Sequence, residues 1–153
     1  LADQNGNTFA LDSFRGKVVV LSSFYSRCKM TCPLILGRLK LLREKFTGKP
    51  VVFVAVTMDP DYDKVPVLKE TAKRYGIDYE NVFLLTGSKD KVNAVLDRYE
   101  VYRKRSENPA VIQHSNLIIL IDKKGEVAYR FSLGAMSDKW LVKAVEDLIG
   151  EPI

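Results

Sequence analysis

Two stretches of the chain are apolar at nearly every position: KVVVLSSF, Lys17 to Phe24, and VVFVAVTM, Val51 to Met58. Near-continuous apolar runs of this length predict strands covered on both faces. Between them, in CPLILGRLKLLREKF, Ile35, Leu39, Leu42 and Phe46 recur at helical spacing, and Pro33 sits where a first helical turn tolerates it. Gly48 and Pro50 mark where that helix stops. Asp63 is placed to cap the next helix, which turns Val65, Leu68, Ala72 and Tyr75 to one side and ends near Gly76. NVFLLTG predicts a third short strand, after which Ser88 opens a helix with Val92, Val95, Leu96 and Tyr99 facing inward. SNLIILID and EVAYRFSL predict a hairpin turning at Lys123–Gly125, and a last helix starting near Ser137 packs Leu141, Ala144, Val145 and Leu148. NTFALDSFRG, near the start, reads as a short strand and turn. Glu100 to Gln113 reads as a loop, and its length is unusual enough to suspect a role.

The order is strand, helix, strand, helix, strand, helix, hairpin, helix. Right-handed crossovers on such a string give an α/β fold with a mixed central sheet and helices on both faces. A cysteine pair between a buried strand and the following helix is the layout of a thioredoxin-like fold. Asp59 to Tyr99 is then an enlarged insertion between its two halves, and the first residues are an N-terminal extension. No repeat, low-complexity tract or long linker interrupts the 153 residues, so one domain, 1–153, is expected, long enough to bury its own core. No run of about twenty apolar residues is present to span a bilayer.

Charge changes this picture little. The net value is +5, but basic and acidic residues interleave in KLLREKF, KETAKRYG and DKVNAVLDRYEVYRKR, the pattern of a solvated surface. YRKR, Tyr102 to Arg105, is the one compact basic patch. No aromatic stacking motif or nucleic-acid fold signature accompanies it, so an acidic protein partner fits it better than nucleic acid.

The chemistry concentrates in SRCKMTC, Ser26 to Cys32, which holds the only two cysteines. Both thiols flank the start of a helix, where unpaired N–H groups and the dipole favour anions, and Arg27 and Lys29 add positive charge. Thiolates are expected to form readily here, which serves thiol exchange and soft-metal capture alike. The three-residue gap is wider than the usual redox spacing. Residues four apart on a helix hold their β-carbons about 5–6 Å apart, and a disulfide needs about 3.5–4.5 Å. The spacing permits a bridge and slightly favours a clamp. A static disulfide would close too short a loop to stabilise the chain much.

Two cysteines and one histidine cannot fill a four-coordinate zinc site. Copper(I) accepts two or three ligands, so Cys28, Cys32 and His114 would suffice as a Cys₂His set. His114 lies just ahead of NLIILID, a strand whose N-terminal end is expected beside the cysteine loop. Met30 reads as a surface or packing residue rather than a thioether ligand, and Met58 and Met136 as core or rim. Asp59 and Asp63 offer carboxylates near the site, though turn and cap roles explain them as well.

LDSFRGKVVVLSSFYSRCKMTCPLIL, VAVTMDPDYDKVPVLKETAKRYG and HSNLIILIDKKGEVAYRF together resemble the Sco (SenC/PrrC) family of copper-delivery proteins. The resemblance rests on a Cys-three-residues-Cys-Pro motif, Cys28, Cys32 and Pro33, and a distant His-Ser before a strand ending in Leu-Ile-Asp. It implies a thioredoxin-like fold that binds one copper ion, Cu(I) or Cu(II), through Cys28, Cys32 and His114. It further implies a monomeric metallochaperone that delivers copper to the binuclear centre of cytochrome c oxidase subunit II, or to another copper protein. The alternative it carries is a thiol–disulfide oxidoreductase that keeps the cysteines of that centre reduced, with Cys28 attacking and Cys32 resolving. Members are tethered at the periplasmic face of the bacterial inner membrane, or at the mitochondrial inner membrane, so an N-terminal anchor is expected ahead of Leu1. Lys29, Met30 and Gln113 depart from the family pattern and imply a shifted thiol pKa and redox potential.

Overall fold

Val18–Phe24 (β1) and Val51–Thr57 (β2) pair in parallel, Val18 against Val51 through Phe24 against Thr57, with every residue of both strands buried. That is the burial expected of strands covered on both faces. Strand β3, Val82–Leu85, extends the parallel part beyond β2, while β6, Leu117–Ile121, runs antiparallel on the other side of β1 and β7, Val127–Ser132, follows it. The sheet order is therefore β3-β2-β1-β6-β7. This computed structural model describes residues 1–29, 31–132 and 138–153. Met30, Met136 and the expected helix start at Ser137 lie outside the described residues.

Helices α1 (Cys32–Lys45), α2 (Val65–Arg74), α3 (Lys89–Arg98) and α4 (Asp138–Ile149) pack on this sheet. An ion pair between Arg38 and Asp138 joins α1 to α4 on one face. On the other, Val95 and Leu96 of α3 and Tyr99 at its C-terminal end lie over Leu21, Val56 and Ile119. The apolar periods of all four helices fall inward as expected: Ile35 and Leu39, Leu68 and Ala72, Val92 and Leu96, Leu141 and Val145 are all buried. The architecture is thioredoxin-like, and Asp59 to Tyr99 supplies α2, the edge strand β3 and α3.

Two local expectations are corrected. NTFALDSFRG forms no strand; it makes an isolated bridge at Thr8 and a short 3-10 helix, Leu11–Phe14. The extension instead protects the β3 edge. Buried Gln4 donates to the Val82 carbonyl at 2.8 Å and accepts from the Leu84 N–H at 2.9 Å, so its amide stands in for a missing neighbour strand. The segment Glu100 to Gln113 is not a plain loop either. Arg103–Arg105 (β4) and Ile112–His114 (β5) pair antiparallel as a separate two-stranded sheet. His114 is the last residue of that hairpin, opposite Arg103.

Candidate metal centre

Strand β1 delivers the cysteine turn to its C-terminal end. The Cys28 N–H donates to the Tyr25 carbonyl at 3.0 Å, closing a turn. Cys32 begins α1 with Pro33 behind it. Because β6 is antiparallel to β1, the chain entering β6 returns to the same end of the sheet, and His114 arrives there. The His114 Nε2 lies 4.0 Å from the Cys32 Sγ, and one donor atom from each of Cys28, Cys32 and His114 fits within 4.8 Å of the others. Neither thiol is in a disulfide, and both are buried.

The imidazole is oriented for donation. Its Nδ1 lies 3.0 Å from the Ser115 carbonyl, which can only accept, so in the neutral ring Nδ1 carries the proton and Nε2 presents its lone pair toward the sulfurs. An ion held in a trigonal set, with sulfur at about 2.3 Å and imidazole nitrogen at about 2.0 Å, spaces its donors by about 3.7–4.0 Å. The donor set fits such an ion with small adjustments. Among the described residues no carboxylate joins this group.

The electrostatics differ from the expectation of easily formed thiolates. Burial pushes the Cys32 thiol well above its ordinary value, and the hydrogen bond and charge of Cys28 push the same way. The helix start does contribute, but to Cys28: the Cys32 N–H donates to its sulfur at 3.4 Å. Arg27 gives the thiols little charge. Its guanidinium is bound to the Asp59 carboxylate at 2.7 Å and stacked 4.2 Å from the Tyr62 ring centre, and Lys29 is exposed.

Asp59 and Asp63 serve as braces. Asp59, 2 % exposed, accepts from Arg27 and, at 3.1 Å, from Arg105 of β4, tying the cysteine turn to the hairpin that carries His114. Asp63 does not cap α2, whose N-cap is Lys64. Fully buried, it accepts from the Ser26 N–H at 3.0 Å, the Ser26 hydroxyl and the Thr57 hydroxyl at 2.7 Å. Burial raises its pKa more than those three hydrogen bonds lower it. The basic patch is largely spent in the same way: Arg103 donates to Asp97 and Asn93 on α3, and Arg105 to Asp59 and the Pro109 carbonyl. Among the described residues, Lys104 alone of its cations keeps an exposed side chain without such a partner.

A residue not anticipated from the sequence sits at the centre of the site. Tyr25 packs its ring edge-to-face on His114, with centroids 5.7 Å apart. The only available signal was an aromatic residue with a polar tip three positions before the first cysteine.

Fold and site together define a thioredoxin-like protein whose cysteine turn faces a histidine donor rather than standing alone. The chain belongs to the SCO1/SenC family, whose sequence model matches residues 1–150. It is 31 % identical over 140 residues to an SCO2-like protein of Rickettsia prowazekii, covering 87 % of this chain and 67 % of the relative. It is also 31 % identical to the mitochondrial SCO2 protein of Saccharomyces cerevisiae, over 82 % of this chain and 44 % of that one. Among solved structures, a SCO1/SenC family lipoprotein from Bacillus anthracis superposes with a TM-score of 0.84 at 26 % identity, covering 96 % and 90 % of the two chains. Arabidopsis thaliana ScoI, solved with copper bound, shares the fold at a TM-score of 0.81 and 23 % identity, over 97 % and 94 %.

Proposed function

We propose that this chain is a copper-binding metallochaperone in the assembly of cytochrome c oxidase, and that it delivers copper to the binuclear centre of subunit II. The observation that carries the reading is the convergence of Cys28, Cys32 and His114, with ligand atoms within 4.8 Å of one another. Two soft sulfurs and one imidazole suit copper and leave zinc one ligand short. Family relatives support the choice: Sco proteins from Arabidopsis thaliana, Bradyrhizobium japonicum and yeast have been solved with copper bound. No helix among the described residues is long and apolar enough to cross a membrane. The lipoprotein and mitochondrial relatives support an extracytoplasmic site at a membrane surface.

A second reading has its own support. The two thiols are not joined in a disulfide and are near enough for a backbone N–H of one residue to reach the sulfur of the other. A Sco relative, described as belonging to a family of cytochrome c oxidase assembly proteins, carries a disulfide switch. The same pair would then act as a thiol–disulfide couple, Cys28 attacking and Cys32 resolving, on the cysteines of the acceptor.

Copper titration of the reduced protein, followed by absorption, separates the two. The parent is expected to take up about one equivalent and, as copper(II), to show sulfur-to-copper charge transfer in the visible. His114→Ala is expected to lose that band while still reducing a protein disulfide. If His114→Ala holds copper(II) as the parent does, the third-ligand assignment fails.

A further inference from the structure

The hairpin that carries His114 is not part of the five-stranded sheet, so something must set it against the cysteine turn. Asp59 braces it through Arg27 and Arg105, and Tyr25 adds a direct connection with a single side chain. It is the first residue after β1, buried, and its backbone carbonyl receives the Cys28 N–H. Its hydroxyl sits on the backbone of Ile112, accepting from the N–H at 3.3 Å and donating to the carbonyl at 3.4 Å. Ile112 lies two residues before His114 on the same short strand. One phenol thus takes both polar groups of Ile112, as a neighbouring strand would, and prevents β5 from sliding along or peeling away. The ring meets the imidazole at 90°, which fixes the plane of His114 as well as its distance. The backbone after Tyr25 is itself fixed, because Ser26 is held by Asp63.

We propose that Tyr25 is the positioning residue of the metal centre: its hydroxyl anchors the His114 strand and its ring orients the imidazole, so that it governs retention of copper(II). The proposal rests on the copper reading above. Two thiolates satisfy copper(I), whereas copper(II) relies on the added imidazole. Loosening His114 therefore discriminates between oxidation states, which a general loss of stability does not.

The test compares Tyr25→Phe, which removes the hydroxyl and keeps the ring, with Tyr25→Leu, which removes both. Each is loaded with copper(I) under competition from a chelator, and separately with copper(II). Copper(I) stoichiometry and affinity are expected to stay within about threefold of the parent in both variants. The lifetime of the copper(II) charge-transfer band is expected to shorten several-fold in Tyr25→Phe and at least tenfold in Tyr25→Leu. Parental copper(II) spectra and lifetimes in Tyr25→Leu overturn the proposal. So does an equal loss of copper(I) and copper(II), which marks a merely structural residue. A parent that takes up no copper sinks the underlying reading, whereas unchanged variants beside a copper-binding parent sink the proposal alone.

Discussion

At the scale of single residues, the site depends on groups that touch no ligand atom. Asp63 is buried, with no cation paired to it among the described residues, and is held by Ser26 and Thr57. Its raised pKa means that the folded protein keeps its proton at a pH where the unfolded chain has lost it. Between the ordinary carboxylate range and the raised folded value, folding takes up a proton, so this group's contribution to stability falls as pH rises. Urea unfolding of metal-free protein against pH is expected to show that fall in the parent and not in Asp63→Asn. The variant is also expected to lose about 1–3 kcal/mol below that range, because a carboxamide cannot accept all the donors now offered. An unchanged difference between parent and variant across the range would contradict this assignment. In the sequence Asp63 reads as a helix cap, because a carboxylate just ahead of an amphipathic run is the local signature of one. Ser26, its main partner, lies 37 positions away, and no local pattern records that distance. Arg27 misleads for the same reason: it stands beside Cys28 in sequence, but its guanidinium is committed to Asp59.

At the scale of elements, the long apolar runs and the 3.6-residue periods were legible because each is repeated over seven or more positions. β4 and β5 were not: three residues each, RKR and IQH, are too short for a period to register. Their pairing is maintained from outside, by Arg103 on α3, by Arg105 on Asp59 and by Tyr25 on Ile112. Arg105→Ala removes a charged hydrogen bond to a buried carboxylate, worth about 1.5–3 kcal/mol. Amide exchange across Arg103 to His114 is expected to quicken about tenfold or more, while β1 and β2 keep the parent's protection. Equal acceleration in both sheets would show that the hairpin does not open on its own. The extension presents a parallel case. Its hydrophobic pattern resembles a strand, but Gln4, whose amide pairs with β3, is a polar residue that pattern reading assigns to the surface.

At the scale of the molecule, the sheet order and the site answer to one geometric fact: the C-terminal end of β1 and the N-terminal end of β6 share an edge. The strand order read from the sequence already placed His114 beside the cysteine turn, although Cys32 and His114, 82 positions apart, gave no direct sign of it. Copper(II), which relies on His114 as well as the cysteine pair, binds the folded chain in preference to the unfolded one and so raises stability. At a free copper(II) concentration a hundredfold above Kd, the gain is at most about 2.7 kcal/mol, reduced by whatever copper the unfolded cysteine pair retains. Calorimetry of parent and Cys28→Ala/Cys32→Ala is expected to show a higher Tm with copper in the first only, reversed by a strong chelator. Equal shifts in both would place the metal elsewhere. The depth at which Cys32 is buried has one further effect. Its sulfur rests as a neutral thiol, so engaging it as a thiolate must expel hydrogen ion into the medium. Cargo and acidity therefore work against each other, and acidifying the surroundings by one pH unit weakens the grip about tenfold for each hydrogen ion so displaced.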